Sequence, residues 1–71
     1  MAQLTTGKKV LVKSLNLQYS DYRNLDGEIV EVHGEFATVA VPKSKISVED
    51  LRDLRKTDDK AFVSVKLTNL T

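Results

Sequence analysis

Apolar positions recur mostly at every second residue, in short runs separated by polar or glycine-containing segments. Residues 8–13, Lys-Lys-Val-Leu-Val-Lys, place Val10 and Val12 on one face of a strand and Lys9, Leu11 and Lys13 on the other. Leu11 breaks the strict alternation and predicts partial cover on the second face. Residues 27–32 and 36–41 are rich in Ile and Val and read as the strongest strands. In the latter, Ala37, Val39 and Val41 share a face opposite Phe36, Thr38 and Ala40. Residues 61–67 alternate again, with Val63, Val65 and Leu67 on one side and Phe62, Ser64 and Lys66 on the other. The predicted core is Val10, Val12, Ile29, Val39, Val63 and Val65.

Between the first two runs, residues 14–26 are polar and turn-like and are expected to form the longest loop, carrying both tyrosines. Asn24 and Gly27 are expected to bracket a tight bend feeding the second strand, since Asn and Gly are the residues most at ease with positive φ. His33 and Gly34 sit between two strands, where a hairpin turn belongs. Ile29 and Val32 cannot share a face by strict alternation, so a bulge or sharp twist is expected between them.

Pro42 closes the hairpin. In Ile46-Ser-Val-Glu-Asp-Leu-Arg-Asp-Leu54, Ser47 with Asp50 three residues later fits a capping box, and Ile46 is placed to staple onto Leu51. Val48, Leu51 and Leu54 have helical spacing, which predicts a short helix over 48–55; a strand at 45–48 followed by one helical turn is the alternative. Residues 56–60 form a charged turn.

At 71 residues the chain has room for one domain over 1–71, with residues 1–6 as a candidate disordered lead. It holds no Cys and one His, so disulfides and thiolate or imidazole-cage metal sites are not expected. The net charge is +1, which argues against a strongly electrostatic DNA compactor. The sum hides a pattern: residues 1–26 and 43–71 each carry +2, whereas 27–42 carry Glu28, Glu31 and Glu35 and no cation, hence −3. No apolar run approaches a membrane span, and the first residues lack a signal-peptide layout, so the expected location is cytoplasmic.

Strand, long loop, hairpin, short helix and last strand predict an all-β fold. This order resembles a small five-stranded SH3-like barrel with one short helix inserted before the last strand. Within it, Gly7 ahead of Val10-x-Val12, followed by Asn24-x-x-Gly27-x-Ile29-x-x-Val32, resembles the KOW motif of ribosomal proteins and NusG-type transcription factors. Asn24 stands where that pattern has the first Gly of a pair. The resemblance implies a non-enzymatic module associated with nucleic acid or ribonucleoprotein, contacting RNA or DNA through loops and one barrel face.

Catalysis finds no support in the residues. His33 sits in an expected turn with no nucleophile beside it, and Glu49-Asp50 and Asp58-Asp59 are adjacent carboxylates, which diverge. No cofactor, metal or small-molecule substrate is expected. The nucleic-acid candidates are Tyr19, Tyr22 and Arg23 in the long loop with Lys8, Lys9 and Lys13 beside it, because rings stack bases while cations meet phosphates. Against this, either Tyr suits the open end of a small barrel with only its hydroxyl wet. Phe36 and Phe62, opposite the Val stripes, are either second-layer core or exposed stacking platforms. A protein-interaction module that docks onto a larger complex or enzyme is the competing expectation: strand edges accept another strand, and the acidic hairpin suits a basic protein surface.

Overall fold

Four antiparallel strands form one sheet in the order β1-β2-β3-β4: β1 Lys9–Asn16, β2 Asp21–His33, β3 Phe36–Pro42 and β4 Lys60–Lys66. They come from a computed structural model that describes residues 6–71. The expectation of disorder over residues 1–6 falls outside the described residues except for Thr6, which lies in a turn. The all-β class holds, with one short helix ahead of the last strand. The five-stranded count does not: among the described residues there are four strands in an open sheet. Strand β4 runs into a 3-10 turn, Leu67–Asn69, and then a single bridge joins Leu70 to Val12 of β1. Leu11 and Thr71 exchange both backbone hydrogen bonds beside it, at 2.9 and 3.0 Å.

All six predicted core residues are buried. Leu15, Leu25, Ala37, Val41, Ile46, Ala61 and Leu70 join them in one cluster, with Tyr22, Leu51 and Leu54 packed against it. Each fully buried Val or Ile is worth roughly 1.5–3 kcal/mol over an exposed one, so this single cluster must carry the fold.

The expected long loop over 14–26 is a correction. Its residues mostly continue β1 and β2, paired from Val12–Leu25 to Asn16–Asp21, and the true loop is residues 17–20, closed by Leu17 N–H donating to the Ser20 carbonyl at 2.9 Å. Polar Ser, Asn and Asp disguised an alternation in which Leu15 and Leu25 face the core. Asn24 lies inside β2, not at a bend ahead of it, with φ +57°. It and Lys13 opposite are skipped in the ladder, and the buried positions of β1 change phase there, from Val10 and Val12 to Leu15. The left-handed residue thus coincides with the change of phase that lets Leu15, beyond it, still face the core.

Gly27 is no turn residue either. Its φ is not positive, and it pairs with Val10 in mid-strand. A Cβ there would run into Val39 Cγ1 and lie 3.2 Å from the Ala40 carbonyl oxygen, so glycine is required by close approach. The β2–β3 turn is Gly34-Glu35, with His33 the last residue of β2, paired to Phe36. Only Gly34 has positive φ, +59°, the pattern of a type II′ turn. The expected irregularity between Ile29 and Val32 is present as a register shift at Ile29/Glu31, but it buries Ile29 alone and leaves Val30 and Val32 exposed.

A 3-10 turn, Lys43–Lys45, leads into α1, Val48–Leu51, one turn long. Residues 48–55 are therefore not one helix, and 45–48 is not a strand. Ser47 caps α1 as predicted, its Oγ accepting from Asp50 N–H at 3.3 Å. Lys56 Nζ donates to the carbonyls of Leu51 and Leu54 at 2.9 and 3.3 Å, satisfying groups that end the turn.

Candidate functional site

The tip of the β1–β2 hairpin is fixed by one buried carboxylate. Asp50, 2% exposed, accepts from Tyr19 N–H at 2.9 Å, Tyr22 hydroxyl at 2.8 Å and Ser47 hydroxyl at 3.0 Å. The Tyr22 oxygen in turn accepts from Ser47 N–H at 2.9 Å. Burial by itself raises the Asp50 pKa, but the donors Tyr19, Tyr22, Ser47 and Ser20 outweigh it and hold the carboxyl below its ordinary value. This network joins loop 17–20 to α1, and both Asp50 carboxylate oxygens, the Tyr22 hydroxyl and the Ser47 hydroxyl are engaged within it. It is a structural latch.

That latch divides the six predicted contact residues. Tyr22 is half-buried with its hydroxyl committed to Asp50 and Ser47, which gives it a structural role in the latch. Tyr19 stands 58% exposed at the tip. Lys9, Lys13 and Arg23 are exposed along the hairpin, and Lys8 is half-buried. Lys9 lies directly opposite Glu28, and Leu11 opposite Asp26, so carboxylates alternate with the lysines across this ladder. Of the four positions expected at turns, only Gly34 is in one.

A better-sorted surface lies on the outer face of β3 and β4. Partners across an antiparallel pair point to the same side, and Phe36 pairs with Lys66, Thr38 with Ser64, Ala40 with Phe62 and Pro42 with Lys60. These eight outward positions hold two aromatic rings, two lysines and two hydroxyls, and no carboxylate. Phe36 is 42% exposed and Phe62 half-buried. Phe62 N–H donates to the Arg55 carbonyl at 2.9 Å, which brings the Arg55 guanidinium to 6.0 Å from its ring centroid. Asp53, Leu54 and Arg55 thus form one wall of a shallow groove floored by Thr38, Phe62 and Ser64. The alternation predicted for β4 already contained this stripe; what sequence could not supply is the register that sets Phe36 beside Lys66.

The next strand inward has the opposite sign. Glu28 pairs with Ala40 and Glu31 with Thr38, on the same outer face, and Asp26 lies two residues before Glu28. Across the sheet the outward residues therefore run acidic on β2, uncharged on β3 and basic on β4. His33 Nε2 lies 3.4 Å from Glu31 Oε1 and 3.1 Å from Thr38 Oγ1. Lys43 Nζ is turned to the carbonyls of Thr57 and Asp58. Among the described residues Lys60, Lys66 and Arg55 have no carboxylate within ion-pair distance.

Among the described residues no cluster of His, Asp and Glu is placed to hold a metal ion, and no helix is long and apolar enough to cross a membrane. No known protein family, curated protein or solved structure matches the chain.

Proposed function

We propose that this chain is a non-enzymatic nucleic-acid-binding module and that the outer face of β3 and β4 is its contact surface. The observation that carries this is the sorting of outward residues: Phe36 and Phe62 offer flat apolar platforms, and Lys60, Lys66 and Arg55 lie beside them with no carboxylate in the cross-strand pairs. Bases stack on rings of any sequence context, while cations within reach hold the phosphates. A module working alone with so few cations binds weakly and with a shallow salt dependence, which suits a component of a larger transcription or translation assembly in the cytoplasm. Kinship with SH3-like, KOW-bearing barrels is part of this proposal and rests on the Gly7 to Val32 pattern of the sequence.

A backbone amide shift map with a short oligonucleotide at two salt concentrations tests this. Perturbations are expected on Phe36, Phe62, Ser64 and Lys66, weakening as salt rises. Shifts confined to Tyr19, Arg23 and Lys13 would move the site to the hairpin, and no shifts at low salt would remove the proposal.

A second reading has its own observation. Asp26 and Glu28 border a groove floored by Gly27 and Ala40 and also lined by Lys9, Pro42 and Lys60, and over this small-residue floor a basic side chain of a protein segment can meet the two carboxylates. Saturable binding of a lysine-rich peptide with no oligonucleotide binding would favour a protein-docking module.

A further inference from the structure

The charge gradient across the sheet bears on which nucleic acid fits. We infer that the acidic outward row of β2, Asp26, Glu28 and Glu31, acts as a fence that restricts the β3–β4 surface to a single strand and rejects duplex. This rests on the nucleic-acid reading of that surface and goes beyond it by naming the substrate class and the residues that select it.

The geometry comes from the register. β2 and β4 are separated by two strand spacings, about 10 Å. A duplex with one backbone seated on Lys60 and Lys66 would carry its second backbone across a groove about 6 or about 12 Å wide. That second row of phosphates falls over β2, where Asp26, Glu28 and Glu31 point outward and are exposed. Like charges at that range in a partly desolvated contact repel, and repulsive elements of this kind set specificity without adding affinity. A single strand meets no such barrier. Its phosphates track along β4, and its bases turn toward β3, where the outward residues Phe36, Thr38, Ala40 and Pro42 are uncharged. Phe36 and the Ala40 position beside Phe62 are four residues apart on β3, about 13 Å, so the two platforms serve bases that are not neighbours.

The fence is only partly offset from within. Lys9 and Lys60 line the groove that Asp26 and Glu28 border, but among the described residues neither lysine is within ion-pair distance of these carboxylates, and Glu31 has only His33 nearby. Phe62 and Arg55 stand on the far side of β3 and do not reach it.

The experiment compares a labelled single-stranded oligonucleotide with the duplex formed from its complement, on wild type and on the triple variant Asp26→Asn/Glu28→Gln/Glu31→Gln. Wild type is expected to prefer the single strand. At about 0.15 M salt, where screening confines the effect to close range, the variant is expected to gain about tenfold in duplex affinity and no more than about threefold in single-strand affinity. Unfolding midpoints of the two proteins, measured alongside, establish that the variant is folded. A single-strand preference left unchanged in a folded variant overturns the fence and leaves the binding surface standing. Wild type that binds neither form overturns both, and binding of a lysine-rich peptide instead, lost in the variant, assigns the same acidic row to a protein partner.

Discussion

The hydroxyl of Tyr22 donates to Asp50 Oδ2 at 2.8 Å, across 28 residues of sequence, and so ties the β1–β2 hairpin to the one-turn helix. Neither element is self-sufficient. Four helical residues cannot nucleate alone, and a hairpin with a left-handed residue in one arm needs an external hold. A motif met in the sequence as a local cap, Ser47 with Asp50, is therefore also the main tertiary polar tie of the fold.

Because hydrogen-bond donors hold the Asp50 pKa below its ordinary value, the unfolded chain binds that proton more readily than the folded one. The stabilisation is fully present above the unfolded pKa, about 3.9, and is lost as pH falls through the lower folded pKa. Urea midpoints should therefore drop below about pH 4, and the gap between wild type and Asp50→Asn should narrow there. Tyr22→Phe should lower the midpoint at pH 7 with the m-value unchanged. A pH-independent gap between wild type and Asp50→Asn would show that the carboxylate charge plays no part in the latch.

Gly27 makes a sharper case because two physical reasons for a glycine can be told apart. Its backbone is ordinary, yet a Cβ would meet Val39 and the Ala40 carbonyl oxygen. Gly27→Ala is expected to destabilise by about 1–3 kcal/mol through overpacking. Pairing it with Val39→Ala, which removes the clashing methyl groups, should recover part of that loss. Additive losses in the double mutant would rule out the steric cause.

Asn24 is the converse, a side chain tolerated in a left-handed conformation at φ +57°. Asn24→Gly should be near neutral, whereas Asn24→Val should cost about 1–3 kcal/mol, since a β-branched residue is strained there. Equal stabilities for the two variants would mean that the strand can relax to ordinary β geometry.

The sequence was legible where the deciding forces are local. Period-2 burial found Val10, Val12, Ile29, Val39, Val63 and Val65, because inward and outward positions alternate whatever the strands pair with. The Ser47 cap was legible for the same reason. Composition misled over residues 14–26, where Ser, Asn and Asp are outward strand residues and read as turn formers. It misled again at Gly27 and His33, whose roles depend on what lies across the sheet. The candidate surface was half visible: the Phe62-Ser64-Lys66 stripe is periodic, but its partner Phe36 and the opposing acids of β2 arrive only with register. Tyr22 reads from sequence as a binding aromatic because nothing local announces a partner as distant as Asp50.

Two surfaces compete for the same function, and charge reversal separates them. Lys13 and Arg23 lie on the hairpin among carboxylates, whereas Lys60 and Lys66 flank the aromatic pairs of β3 and β4. All four are exposed, and exposed charges contribute little to stability, so either double variant should fold. If nucleic acid lies on β3 and β4, Lys60→Glu/Lys66→Glu should weaken oligonucleotide binding at least about tenfold at low salt and reduce the salt slope by about two. Lys13→Glu/Arg23→Glu should change affinity by less than about threefold, because no ring is paired with those cations to hold a base. Phe36→Ala should weaken binding with the salt slope intact, since it removes stacking and no phosphate contact. The reverse ranking of the two charge variants would return the site to the hairpin, with Tyr19 as its only exposed platform.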